Sequence, residues 1–338
     1  MSWDRIRGHD AVRRQFETAF RRGRLGQAYL FVGPAGVGKR MTATELGKAL
    51  LCESPPRPLA ACDRCQACVL VGAGTHPDLF TCRKPDDKLE LPVDVVREFT
   101  DRLGLKASRR GRKVGILEDA DDFNDESANC FLKTLEEPPP GSLLILLATS
   151  EEAQLPTILS RCQVVRFQPL PPDDLRTVLV DNGISDPARL ERLIRMAQGS
   201  VGQALALNDD SLWAFRGTLL ASITAAKPDP VALAETWSRF IEEAGKESAA
   251  QRQRASLVIR LVLDFLGQSL RLALGTDPAC EPAEVDQLRR LADLLGQDGV
   301  VDLIEKCVEA DYHVDRRVQL ALVTELLADH LTRSVSAA

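Results

Sequence analysis

Residues 33–40, "GPAGVGKR", set Gly33, Gly36, Gly38 and Lys39 in the spacing of a phosphate-binding loop. Such glycines turn backbone N–H groups inward onto phosphate oxygens beside a helix N-terminus, and the lysine reaches the terminal phosphates. The next residue is ordinarily Ser or Thr, whose hydroxyl ligates Mg2+. Here it is Arg40, which has no acceptor atom and carries a positive charge. A second departure lies at Glu118-Asp119. Metal-dependent P-loop ATPases use an Asp to hold Mg2+ and a further group to orient the attacking water. The usual order at the strand end is Asp-Glu; the reverse order Glu118-Asp119 shifts both by about the length of a C–C bond, an error that catalysis does not tolerate. The expectation is a degenerate nucleotide site, with ATP and Mg2+ doubtful as working cofactors. The plainer readings are a glycine loop kept for the fold and two acids solvating a strand end.

Four cysteines, Cys52, Cys62, Cys65 and Cys68, follow in the spacing Cys-x9-Cys-x2-Cys-x2-Cys. Four thiolates with two short C-x-x-C steps suit tetrahedral Zn2+, in a closed and therefore structural site. The alternative is a set of free or redox-active thiols. His76 is a conceivable further ligand, but four sulfurs already complete the shell. Cys82, Cys130, Cys162, Cys280 and Cys307 are isolated and read as packing residues, as do Trp3, Trp213 and Trp237.

The elements that must position these groups are legible in the apolar pattern. "AYLFV" (28–32) reads as a buried strand running into the glycine loop, and helical spacing follows from Lys39 to Leu51. Further strand-like runs occupy 113–119, 141–150 and the segment ending at 170. A helical stretch at 124–137 stops at Pro138, Pro139 and Pro140. This alternation predicts an α/β fold, a parallel sheet covered by helices. After "PLPPDD" (169–174) the chain reads as helix after helix. The predicted domains are an α/β domain at 1–170 with a cysteine module inserted at about 52–68, a small helical lid at 171–209, and an all-helical domain at 210–338.

The chain has 338 residues, 44% hydrophobic and 27% charged, with a net charge of −6, so any DNA contact has to be local. The candidate is "ASRRGRK" (107–113), with Arg109, Arg110, Arg112 and Lys113; the ordinary reading is a solvated loop. The first residues carry no signal-peptide pattern, and no stretch is apolar over the length of a membrane span. An odd total of nine cysteines with four clustered fits a reducing cytoplasm.

The glycine loop, the cysteine knuckle, "HPDLF" (76–80), "NCFLKTLEEPP" (129–139) and "LPTILSRCQVVRF" (155–167), in that order, resemble the clamp-loader subunits of the bacterial replicative DNA polymerase, of the AAA+ class. The resemblance covers most of residues 1–210. It implies a P-loop domain, a helical lid and a C-terminal helical collar that joins the subunits of a hetero-oligomer. The implied partners are gamma/tau and delta subunits and, through the complex, primed DNA and the sliding clamp; no membrane is implied. Two kinds of subunit share the motifs. Gamma/tau subunits hydrolyse ATP, whereas delta-prime subunits keep the fold and, in many members, lack a working site. In the motors, an arginine of the lid senses the γ-phosphate; Gly202 of "GSVGQAL" stands at that position. Arg40, Glu118-Asp119 and Gly202 together favour the delta-prime kind, with the motor as the alternative. In the family the arginine of Ser-Arg-Cys enters a neighbour's ATP site, which assigns that role to Arg161.

Overall fold

The computed structural model describes residues 2–108, 111–280 and 284–336. The chain forms two compact units, Met1–Leu205 and Ala206–Ala338.

The first unit is built on five strands: β1 (Ala28–Val32), β2 (Leu79–Cys82), β3 (Lys113–Leu117), β4 (Ser142–Ala148) and β5 (Gln163–Arg166). They pair in the order β2-β3-β4-β1-β5, and every pair is parallel. Helix α1 (Asp10–Arg21) precedes β1; the crossovers that parallel neighbours need are supplied by helices α2 (Lys39–Leu51), α3 (Gln66–Gly72), α4 (Val93–Gly104), α5 (Asp125–Glu136) and α6 (Pro156–Leu159). Each residue of β1, β3 and β4 is buried, because helices cover both faces of the sheet. This is why their sequences are continuous apolar runs rather than alternations. Leu30, Leu117, Leu144 and Leu146 pack with Phe99 of α4 and Phe131 of α5 in one core.

Two local devices fix the helices that matter here. Gly38, at φ 106°, caps α2 in a conformation that a side chain would strain. Asn124 and Ser127 close a reciprocal capping box on α5: Ser127 N–H donates to Asn124 Oδ1 at 2.9 Å, and Asn124 N–H donates to Ser127 Oγ at 3.1 Å. The triple proline ends that helix, as the sequence predicts.

Three further helices follow β5, α7 (Pro172–Asp181), α8 (Pro187–Ala197) and α9 (Val201–Leu207). The first compact unit runs through to Leu205, so this segment packs with the sheet domain.

The second unit holds α10 (Asp210–Ile223), α11 (Pro230–Glu242), α12 (Ser248–Ala273), α13 (Val285–Asp315, interrupted at Gly296) and α14 (Leu320–Ser336). Phe215 and Phe240 stack at 4.0 Å, and Trp237 and Phe265 are fully buried. The buried Arg216 is paired with Glu284 and, at 3.6 Å, with Asp264. No helix of the described residues is long and apolar enough to cross a membrane.

Candidate functional site

A cleft of about 480 Å³ opens at the carboxyl ends of the strands, where ligands of open α/β sheets bind. The glycine loop after β1 forms one wall, and Glu118, Asp119 and Asp121, just beyond β3, form another. Arg5, Arg7 and His9 contribute from the N-terminal segment, and Val178, Val201 and Gly202 from α7 and α9.

The loop is held from several sides. His9 Nε2 donates to the Val37 carbonyl at 2.7 Å, which fixes its tautomer. Ser200 Oγ donates to the Ala35 carbonyl at 2.8 Å, and Gly202 N–H donates to the Gly36 carbonyl at 3.0 Å. Gly36 sits at φ 76°, and a Cβ there would come within 3.0 Å of the Gly202 backbone. Lys39 Nζ turns back onto its own loop, donating to the carbonyls of Gly33 and, at 2.8 Å, Pro34. Burial depresses its pKa, a shift that Asp121 opposes.

Arg40 lies across the cleft, with Nε 3.0 Å from Glu118 Oε1. The Glu118 carboxyl is pushed above its ordinary value by burial, against the pull of Arg40. Asp119 adopts φ 57°, its Oδ2 accepting the Lys84 N–H at 3.0 Å. Thr42, the nearest hydroxyl beyond Arg40 on α2, is fully buried and absent from the cleft lining. Its Oγ1 has no hydrogen-bond partner among the described residues. The hydroxyl that usually follows the loop lysine is absent, and Arg40 sets a positive charge beside Glu118, so the residues present do not fit a Mg2+ ion.

Arg161 follows α6 and does not line this cleft. Nε donates to Glu136 Oε1 at 3.0 Å, and Nη2 donates to the same oxygen. Nη1 donates to the Thr157 carbonyl at 3.0 Å and to Ser160 Oγ at 3.1 Å. A partly exposed guanidinium is thus set in one orientation at the end of α5, where the "LEEPP" turn places Glu136.

The four clustered cysteines converge, with all four sulfurs within 4.8 Å of one another. Cys52 and Cys65 approach to 4.0 Å, as do Cys62 and Cys68. Tetrahedral zinc with Zn–S bonds of about 2.3 Å needs edges of about 3.8 Å, so the cluster fits such an ion. Backbone N–H groups already face the sulfurs: Cys62 N donates to Cys52 Sγ, Cys65 N to Cys62 Sγ and Cys68 N to Cys65 Sγ, at 3.3–3.5 Å. The N–H groups of Arg64 and Cys65 draw the Cys62 thiol down to about 6. Lys48, one turn before Cys52 on α2, pairs with Asp63 inside the module. His76 stands apart, its Nδ1 accepting the Asp78 N–H at 3.0 Å.

Among the basic residues considered for DNA contact, Arg109 and Arg110 lie outside the described residues. Arg112 is exposed, but Lys113 is buried and donates to the Arg102 carbonyl at 2.6 Å. Several participants escape sequence reasoning: Glu136, Lys84, Asp121, His9 and Ser200. The acidic run "EDADD" is the one local signal among them, since it marks Asp121.

A family model described as "DNA polymerase III, delta subunit" matches residues 8–171. The chain is 36% identical over 222 residues to DNA polymerase III subunit delta' of Pseudomonas aeruginosa, covering 64% of this chain and 67% of that protein. With the subunit delta' of Escherichia coli K12 the identity is 34% over 226 residues, covering 66% and 67%. It is also 33% identical over 212 residues to the E. coli K12 subunit tau, covering 60% of this chain and 32% of that protein.

Proposed function

Because the chain belongs to the delta-prime family of DNA polymerase III subunits, we propose that it is a clamp-loader subunit that does not hydrolyse ATP and that completes a neighbour's ATP site with Arg161. The observation that carries this reading is the pairing of Arg40 with Glu118, which sets a guanidinium where hydrolysis requires a metal. The loop, with Gly33, Gly36, Gly38 and Lys39, serves as scaffold, while Glu118 pairs with the Arg40 side chain and Asp119 holds the Lys84 backbone. Arg161 is fixed outside its own cleft, which supports action in trans. An arginine so supplied stabilises charge on a transferring phosphoryl group. The cysteine module holds structural Zn2+. Residues 1–170 act as the AAA+ domain, 171–209 as its lid and 210–338 as the collar through which gamma/tau and delta subunits assemble. Sliding clamp and primed DNA are met through that complex, in the cytoplasm.

The test is single-turnover ATP hydrolysis by a complex reconstituted with gamma/tau and delta subunits. Arg161→Ala is expected to slow the neighbouring site by about 10³-fold or more. Arg161→Lys should rescue little, because an ammonium lacks the planar fork. Unchanged turnover would overturn the role of Arg161. Hydrolysis by the isolated chain, abolished by Lys39→Ala, would favour a motor of the gamma/tau type.

A further inference from the structure

The cysteine module is tied to α2 by charge as well as by chain. Glu45 and Lys48 stand one helical turn apart on α2, and Cys52 follows one turn later, so the three share one face. Lysine is rarely buried without a partner, and the Lys48 side chain is only 8% exposed. Its Nζ lies 3.6 Å from Glu45 Oε1 and pairs with the Asp63 carboxylate. Asp63 directly follows Cys62 and adopts φ 59°, a left-handed conformation that Asp and Asn tolerate better than other side chains do. Its backbone N–H faces the Cys68 sulfur, and the Lys48 ammonium acts electrostatically on that same sulfur. Asp63 is thus held to α2 by its carboxylate and to the cluster by its N–H.

We infer that Lys48 is a positioning residue for the zinc site: it fixes Asp63 in the turn that aims an N–H at Cys68, and it is the cation that offsets the charge of the thiolates. The inference rests on the structural-zinc reading and names the group outside the sulfur shell that sets how firmly the ion is kept. Four thiolates outweigh the charge of one Zn2+, so the filled site is anionic. Glu45 and Asp63 add two carboxylates beside it. Without Lys48 these like charges would face one another at low exposure, where screening is weak. The ammonium meets both carboxylates from a rigid helix, so its place is set before the metal arrives. Partners outside the ligand shell commonly change metal affinity by about 10–100-fold, and Lys48 acts in that way through Asp63.

The full chain loaded with Zn2+ is titrated with a competing chromogenic chelator, and the zinc Kd is read for each variant. Lys48→Met keeps a long side chain of good helix propensity and is expected to weaken zinc binding by about tenfold or more. Asp63→Asn breaks the pair at a partly exposed side chain without touching the buried lysine. It tolerates the left-handed turn and keeps its N–H on Cys68, so it should weaken binding by a smaller factor. Lys48→Met combined with Asp63→Asn should hold zinc more tightly than Lys48→Met alone, because the repelling carboxylate has gone with its partner. A lysine that only packs gives no such rescue. Thermal unfolding checks the fold of each variant, and if Lys48→Met does not fold, Asp63→Asn carries the test. Zinc held in Lys48→Met or in Asp63→Asn as tightly as in the parent overturns the inference, as does a double variant without rescue, and each leaves the zinc reading standing. A parent chain that takes up no Zn2+ overturns both.

Discussion

Gly202 donates its backbone N–H to the carbonyl of Gly36 at 3.0 Å, and the two glycines meet with no side chain between them. A Cβ on Gly202 would lie 2.9 Å from Gly36 Cα. The contact joins the first turn of α9 to the phosphate loop through main-chain atoms alone, and it leaves no room for a side chain at Gly202.

Gly202→Ala is therefore expected to destabilise the first unit by about 1–3 kcal/mol, the usual range for overpacking. For a domain of this size that lowers the melting temperature by about 2–4 °C per kcal/mol. Gly202→Arg should be worse, although it restores the residue type of a hydrolysing relative. Scanning calorimetry checks both, and a Gly202→Arg protein as stable as the parent would show that the lid can swing clear.

Glu136 is expected to act as a positioning residue for Arg161. Because the pair is partly exposed, Glu136→Gln should change stability by no more than about 1 kcal/mol. In the reconstituted complex it should slow the neighbour's hydrolysis less than Arg161→Ala does. Glu136→Asp should restore part of the rate. A Glu136→Gln complex with the parent rate and ATP affinity would show that the pair only tidies the surface.

The raised pKa of Glu118 gives a pH signature. A carboxyl whose folded value exceeds its ordinary 4.5 contributes stability that is complete below 4.5 and lost as pH rises through the raised value. Glu118→Gln should therefore match the parent near pH 4.5 and become the more stable protein at neutral pH. Melting curves across this range follow the difference, and a parent that gains on the variant as pH rises would mean that Arg40 outweighs burial.

Metal removal should act locally. The purified chain is expected to release about one Zn2+ when its thiols are modified with a mercurial, in keeping with a closed four-sulfur shell. Cys65→Ser should abolish that release and open residues 53–66 to protease. The sheet should survive, because its core is made by other residues. A full complement of zinc in Cys65→Ser would remove this sulfur from the shell.

The glycine loop, the cysteine spacing and the buried strands are legible in the sequence because each is local. Their signals lie within about twenty residues, and backbone geometry does the rest. The pairings that define the cleft are not local. Arg40 and Glu118 come from different elements, and so do Arg161 and Glu136. Reading Arg40 and Glu118 as two separate defects misses that their charges are complementary. Lys113 fails for another reason. Four basic residues within five positions suggest one solvated surface, yet the last opens β3, and a strand start carries its stem inward to the Arg102 carbonyl. The Gly36–Gly202 contact, near the end of the first unit at Leu205, is likewise announced by no pattern along the chain.

Helix α2 begins at the glycine loop and ends at Cys52, the first sulfur of the cysteine cluster. Its 13 residues span about 20 Å at 1.5 Å per residue, and neither glycine nor proline kinks sets the ends adrift: Gly47 sits inside the helix with Leu79 against it. The helix is therefore a ruler built into the molecule. Whatever neighbours do to the lid or to the second unit, the spacing between these two marks stays fixed. A pair of spectroscopic labels placed there is an internal standard, against which movement elsewhere in a working assembly can be measured in ångströms.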